Sequence, residues 1–401
     1  MNRLLLALAL FAASPTVLRA DEDLNWERLK LDGTFRSEGV AVGDFNKDGK
    51  LDVAAGDVWY AAPDWTMHEI RKVGEYFPDK GYSQSFACWA WDVNQDGWDD
   101  IIIIGFPGAP FHWYENPKNE PGHWKQHVIW HSACNESPDF LDITGDGKPE
   151  LVVGSQPERQ LGFQSLPHPE DATKKWEFHP ISEPGDPKEN GSVHYYHGLG
   201  AGDLNGDGRT DVLIPHGWYE APEDRTAGPW KFHRFTLSKD GKGAPLPMAD
   251  LHVEDLDLDG DMDILGSSAH AFGLWWFENT GAENNTEFKY HLIDESYSQT
   301  HAVEFVDING DGKRDIVTGK RYFAHQGKDP GGRDPVVMYW YEIERTKGAP
   351  PKFHRHEIVA GRDTGVGTQF LVTDMNGDQR PDIVLSNKKG VNVLLQRPAG
   401  E

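Results

Sequence analysis

The sequence predicts an all-β chain, a seven-bladed β-propeller with four-stranded blades in which an N-terminal strand closes the last blade. Three observations carry this. One nine-residue acidic loop recurs seven times along the chain. Short apolar runs flank each copy, the pattern of strands. Most copies are followed by an aromatic strand and then by a second strand marked aromatic-x-x-His, so each repeat holds four strands in about 50 residues, the size of a propeller blade.

The loops run Asp44–Asp52, Asp92–Asp100, Asp142–Glu150, Asp203–Asp211, Asp255–Asp263, Asp307–Asp315 and Asp374–Asp382, and start 48, 50, 61, 52, 52 and 67 residues apart. Calcium takes six to eight oxygens on a flexible frame, and a tight turn with oxygens at positions 1, 3 and 5 and glycine at 6 aims them at one point. An acid at position 9 closes each loop. The expected calcium ligands are therefore Asp44, Asn46, Asp48 and Asp52; Asp92, Asn94, Asp96 and Asp100; Asp142, Thr144, Asp146 and Glu150; Asp203, Asn205, Asp207 and Asp211. The later loops supply Asp255, Asp257, Asp259 and Asp263; Asp307, Asn309, Asp311 and Asp315; Asp374, Asn376, Asp378 and Asp382. The loop at Asp255 carries four carboxylates and is expected to bind best. The loop at Asp374 has Gln379 in place of glycine and is expected to bind worst. Acidic hairpin turns without metal are the competing reading.

After each loop comes a β-branched run such as Ile101–Ile104 or Val212–Ile214. The aromatic strands are Val58–Pro63, His112–Pro117, Gly217–Pro222, Trp275–Thr280 and Tyr339–Glu344. The aromatic-His pairs are Trp65/His68, Trp124/His127, Trp176/His179, Trp230/His233, Phe288/His291 and Phe353/His356. Positions repeated in every unit define the unit, so these histidines read as structural, packing or hydrogen-bonding between blades. Asn25–Leu29 resembles the aromatic-His strand, while Gly390–Gln396 resembles the strand before it and then stops. The two ends can share one blade and remove a free edge.

Residues 1–20 read as a secretory signal peptide, with Arg3, the apolar run Leu4–Ala13 and the small residue Ala20. Residues 21–401 are then a single propeller domain of an exported protein, periplasmic or extracellular. No later stretch reaches the roughly 18 apolar residues of a membrane helix. The leader holds two arginines and no acids, so the net charge moves from −26 to −28 without it. Such a balance excludes a nucleic-acid partner, which needs clustered cations, and suits a chain holding hard cations. Cys88 and Cys134 are the two cysteines, and an oxidising compartment would permit them to pair.

Loops, flanking strands and aromatic strands together resemble the FG-GAP/VCBS repeat propellers, of which integrin α-subunit heads are members with calcium in such loops. The likeness covers essentially all of residues 21–401. The aromatic strand followed by Trp-x-x-His is also similar to the propeller part of aldos-2-ulose dehydratase, a sugar-dehydrating enzyme, although no cupin domain is present. The resemblance implies that each acidic loop joins the innermost strand of a blade to the second strand. All loops then lie on one face of the disc, and the opposite ends of those strands surround the central channel on the other.

On that second face the positions are not repeated. Inner-strand starts supply Arg36, Glu38, Tyr82, Asn135, Glu136, His194, Tyr196, His197, Asp250, His301 and Gln369. Second-strand ends supply Asp57, Gln156, His216, His270, Lys320 and Arg321. Variation on a rigid scaffold points to binding or catalysis. His197, His301, Glu38 and Glu136 share one place, six residues before their loops. A polar ligand, in particular a carbohydrate, is expected there, held by Glu38, Tyr82, His194, Tyr196, His216, Asp250, His270 and Lys320. Tyr195 and Tyr322 add rings suited to sugar stacking. An enzyme is the alternative, a sugar dehydratase or polysaccharide lyase with His197, His301, Glu136 and Arg321 as acid, base and charge stabilisers. A single transition metal in the channel would accompany it. A protein-binding adhesion module, or a plain water-filled polar mouth, are further readings. The insertions near 155–195 and 320–350 are placed to rim the site.

Overall fold

The computed structural model describes residues 24–281 and 284–398. The expected signal peptide lies outside the described residues. Among them the chain forms 28 strands and only short helical turns.

The repeat folds as its pattern predicts. Ala87–Trp91, Asp100–Ile104, Phe111–Glu115 and Lys125–Trp130 pair in that order into one antiparallel sheet, with the acidic loop Asp92–Asp100 joining the first two strands. The second strand is apolar throughout because both its faces are covered: Ile101 to Ile104 are all buried. Apolar clusters form between neighbouring units. Ile102, Ile104 and Trp113 pack on Leu151, Val153 and Trp176 of the next unit. Each fully buried aliphatic side chain contributes about 1.5–3 kcal/mol, so the units hold one another together.

The ends meet as expected. Asn25–Asp32 pairs antiparallel with Gly390–Arg397 at the edge of the last sheet, Leu29 opposite Val393. Val53, Val58 and Tyr60 of the first unit share a cluster with Val384, Val391 and Val393 of the last.

The described strands do not form seven separate sheets. Five sheets have four strands and one has eight. The eight-stranded sheet consists of two antiparallel quartets joined by a parallel pairing of Leu199–Gly202 with Met248–Glu254, Leu199 lying opposite Asp250 and Ala201 opposite His252. The cause is local. A Cβ on Gly200 would collide with the Leu251 carbonyl, and one on Gly202 would sit 2.6 Å from the Val253 Cβ. Lacking side chains there, two inner strands approach to hydrogen-bonding distance.

The aromatic-His histidines are structural, but within a unit rather than between units. Each stacks on an aromatic directly across the strand pair: His68 on Trp59, His127 on Trp113, His179 on Phe163, His233 on Trp218, His291 on Trp276 and His356 on Trp340. A glutamate on the aromatic strand then engages the Nε2 of His127, His233 and His291 at 2.8, 2.7 and 2.6 Å. Cys88 and Cys134 are buried free thiols, and burial pushes the Cys88 thiol up to about 12.

Candidate functional site

The acidic loops are stapled at their ninth position. Asp52 accepts hydrogen bonds from the amides of Phe45 and Ala62, and Asp100 from Val93 and Asn116. Asp211, Asp263 and Asp382 repeat this geometry. Position 1 accepts amides from within the loop, as Asp44 does from Asp48 and Gly49. A carboxylate has four acceptor directions, so these bonds leave room for a cation. In the loop at Asp255, Asp255, Asp257 and Asp259 each bring an oxygen within 4.8 Å of the others. The other loops put an asparagine or threonine at position 3.

At the far end of the inner strands the unrepeated residues converge. His197, His301 and Glu136 each precede an inner strand, and Arg321 follows the second strand Asp315–Gly319. His197 Nε2 lies 3.1 Å from His301 Nε2, and both lie 3.4 Å from Glu136 Oε2. Arg321 bridges two carboxylates, with Nε 3.3 Å from Glu38 Oε2 and Nη1 3.3 Å from Glu136 Oε2. The His270 ring centre is 4.7 Å from that of His197 and 5.7 Å from that of His301. Glu38, Glu136, His301 and Arg321 are all buried. Glu38 Oε1, His301 Nδ1 and Arg321 Nη2 are buried with no hydrogen-bond partner among the described residues.

Electrostatics sort the cluster. Burial opposes ionisation of Glu136, but His197, His301 and Arg321 hold its carboxyl well below the usual carboxylate range. Burial, then the Arg321 charge, pushes His301 well below an ordinary imidazole and keeps it neutral. Burial, then His197, brings His270 down to about 4.

An aromatic wall flanks this cluster. The Arg321 guanidinium sits over the Tyr82 ring at 5.4 Å, and Lys388 Nζ over the same ring at 4.2 Å. Tyr82 contacts Phe106, which contacts Tyr195, with ring centres 6.5 and 5.6 Å apart. Phe106 and Tyr195 are 36% and 48% exposed.

The FG-GAP-like repeat family matches residues 92–153 and 255–318. Those segments are the second acidic loop through the third, and the fifth through the sixth, with their strands. The chain carries FG-GAP-like repeats in a β-propeller arrangement of four-stranded antiparallel units. No curated protein matches it. Among solved structures it is similar to an Agrocybe aegerita lectin that recognises non-reducing terminal N-acetylglucosamine, at 15% identity and TM-score 0.46, over 90% of this chain and 95% of that one. It is also similar to the Tc holotoxin pore of Photorhabdus luminescens, at 14% identity and TM-score 0.37, over 86% of this chain and 16% of that one.

The propeller thus brings Glu38, Tyr82, Glu136, His197, His270, His301 and Arg321 together. Others of the expected residues go elsewhere. Tyr196 turns into the core with Leu199 and Val212. Lys320 Nζ is buried against Ser298 Oγ and Gln299 Oε1, at 2.9 and 2.7 Å. Asp250 faces Asp139 and Glu304 on neighbouring inner strands. His216 lies near Glu189 and Arg234, and His194 is exposed beside Tyr195. Arg36 pairs with Asp32, and Asp57 with Arg71. Asn135, Gln156 and Gln369 bond backbone groups. Tyr322 stacks on Phe323.

Sequence reasoning missed His325, Asp329 and Lys388. Asp329 lies 3.3 Å from His270 Nδ1 and 3.0 Å from His325 Nδ1. The His325 amide donates to the Tyr82 hydroxyl at 2.9 Å. Phe323, His325 and Gln326 all hold positive φ, a costly conformation for residues with side chains and common where a loop is shaped for a site. For His325 and Asp329 the signal was the extra length of the insertion near 320–350; Lys388, just past the strand Asp382–Asn387, had none.

Proposed function

We propose that the chain is an exported, calcium-binding propeller of seven blades that takes an oxygen-rich polar ligand, a carbohydrate, at the His/Glu/Arg cluster. One observation carries the reading. Four buried side chains from three units, Glu38, Glu136, His301 and Arg321, converge, and Glu38, His301 and Arg321 each leave a polar atom unpartnered among the described residues. Buried polar groups ordinarily find partners, and hydroxyls supply both donor and acceptor to such a mixed set. The wall of Tyr82, Phe106 and Tyr195 supports it, since aromatic faces cover the apolar side of a sugar ring. The blade count treats the two quartets of the eight-stranded sheet as two blades. Export rests on residues 1–20.

The test is calorimetric titration with neutral and acidic oligosaccharides, for the wild type, Phe106→Ala and Tyr195→Ala. Both rings are partly exposed, so the variants should fold. Each lost stacking contact is worth about 0.5–1.5 kcal/mol, up to roughly tenfold in affinity. Absence of binding across the set, or affinities unmoved by both substitutions, would overturn the reading.

A second reading is favoured by the closeness of Glu136 to two imidazoles. A base beside the Arg321 cation is what a carbon-oxygen lyase needs to take a proton next to a carbonyl and hold the enolate-like charge. Incubation with uronic-acid oligosaccharides should then break the bond to the leaving oxygen and produce an unsaturated product absorbing in the far ultraviolet. No such product leaves binding alone.

A further inference from the structure

We propose that His197, His301 and Glu136, with His270 beside them, form a site for one divalent transition metal ion, distinct in chemistry from the acidic loops. The proposal deepens the reading of this cluster as the ligand-binding centre and rests on it. Metal–nitrogen and metal–oxygen bonds of about 2.0–2.2 Å set neighbouring donors of a tetrahedral ion about 3.3–3.6 Å apart, and those of an octahedral ion about 3 Å apart. The triangle of His197 Nε2, His301 Nε2 and Glu136 Oε2 has sides of 3.1, 3.4 and 3.4 Å. Two of these sides are long for hydrogen bonds. All three suit donors sharing one ion.

The donors come from three different units, so the assembly of the ring sets their spacing, not a local turn. His197, His270 and His301 each bring one ring nitrogen within 4.8 Å of the others. Histidine ligands are usually oriented by an acceptor on their other nitrogen, and Asp329 stands 3.3 Å from His270 Nδ1. Imidazoles with one carboxylate select zinc or iron over calcium or magnesium, which prefer all-oxygen sites. Three or four protein donors leave a coordination position for a ligand oxygen.

The experiment uses the full mature protein, stripped by chelation, reloaded with excess calcium and titrated with zinc or with cobalt(II). One equivalent of zinc should bind despite the calcium. Cobalt(II) should give the visible absorption of a nitrogen-coordinated ion, abolished by zinc. His197→Ala and Glu136→Gln should lose that equivalent while keeping their calcium, His197→Ala with its melting temperature unchanged. Asp329→Asn, which touches none of the three triangle atoms, should weaken zinc about 10–100-fold. Should His197→Ala fail to fold, Asp329→Asn and the cobalt spectrum decide. No zinc beyond the calcium loops, or zinc held equally by His197→Ala or Asp329→Asn, overturns the proposal. Oligosaccharide titration of the zinc-free protein separates the two readings. Sugar binding with no zinc site sinks the metal alone. A zinc site with no sugar binding in either state sinks the carbohydrate reading alone.

Discussion

The guanidinium of Arg321 lies 3.3 Å from the carboxylate of Glu38, a residue 283 positions earlier in the chain. Both are buried, and the same guanidinium reaches Glu136. Removing one partner of a buried ion pair leaves charge without compensation. Arg321→Met should therefore cost about 3–5 kcal/mol in urea unfolding, and Arg321→Lys should not rescue it, since an ammonium cannot span two carboxylates as a planar fork does. A loss under about 1 kcal/mol would mean the cluster is wetter than its burial indicates.

The cross-strand stack of Trp276 and His291, with ring centres 4.1 Å apart, tests the role of the repeated histidines. Trp276→Ala should cost about 3–5 kcal/mol as a core truncation. A double-mutant cycle with His291→Ala should return a coupling of about 0.5–1.5 kcal/mol. Zero coupling would reduce the histidine to a solvated strand residue. None of these changes should alter ligand affinity.

These stacks show what the sequence revealed and what it hid. The acidic loops and the stacked pairs recur at fixed register, so periodicity alone exposes them. Glu38, Glu136, His197 and His301 were also legible, because each stands six residues before its loop and the topology carries that place to one end of the ring. Tyr196 was not: it is one residue from His197 and faces the opposite way, into the apolar cluster of Leu199 and Val212. His325 and Asp329 sit in an insertion with no repeat register. The fusion of two units depends on Gly200 and Gly202, whose missing side chains leave no hydrophobic pattern to read.

Asp250, Glu304 and Asp139 give a pH signature. Burial first, and then repulsion from Asp139, raises Asp250 to about 8; burial, then repulsion from Asp250 and Asp139, raises Glu304 to about 8; burial raises Asp139 to about 7. A carboxyl raised in the folded state favours folding most below its unfolded value, and that contribution fades as pH rises through the folded value. Thermal melts of the chelated protein should accordingly fall between about pH 4 and 8. Asp250→Asn should raise the melting temperature at pH 8 and leave it nearly unchanged at pH 4. An equal effect at both would show that Asp250 ionises freely.

Calcium should stabilise the propeller by mass action, about 2.7 kcal/mol per site at a hundredfold excess over the dissociation constant. Calorimetric melts with calcium and with chelator should differ by many degrees. Asp257→Asn should remove a larger share of the difference than Asn376→Ala, because the Asp255 loop converges three carboxylates. Identical melts in calcium and chelator would refute the calcium assignment.

The strand Asn25–Asp32 has its partner at Gly390–Arg397, so of the described strands the first made waits for the last. A ribosome releases the one long before the other. Until the second emerges, the first exposes an unpaired edge and an apolar face that neighbouring chains could capture. Pairing over such a sequence distance is also intrinsically slow. A chain stalled shortly before Gly390 should remain protease-sensitive at both termini, however well its middle units have formed.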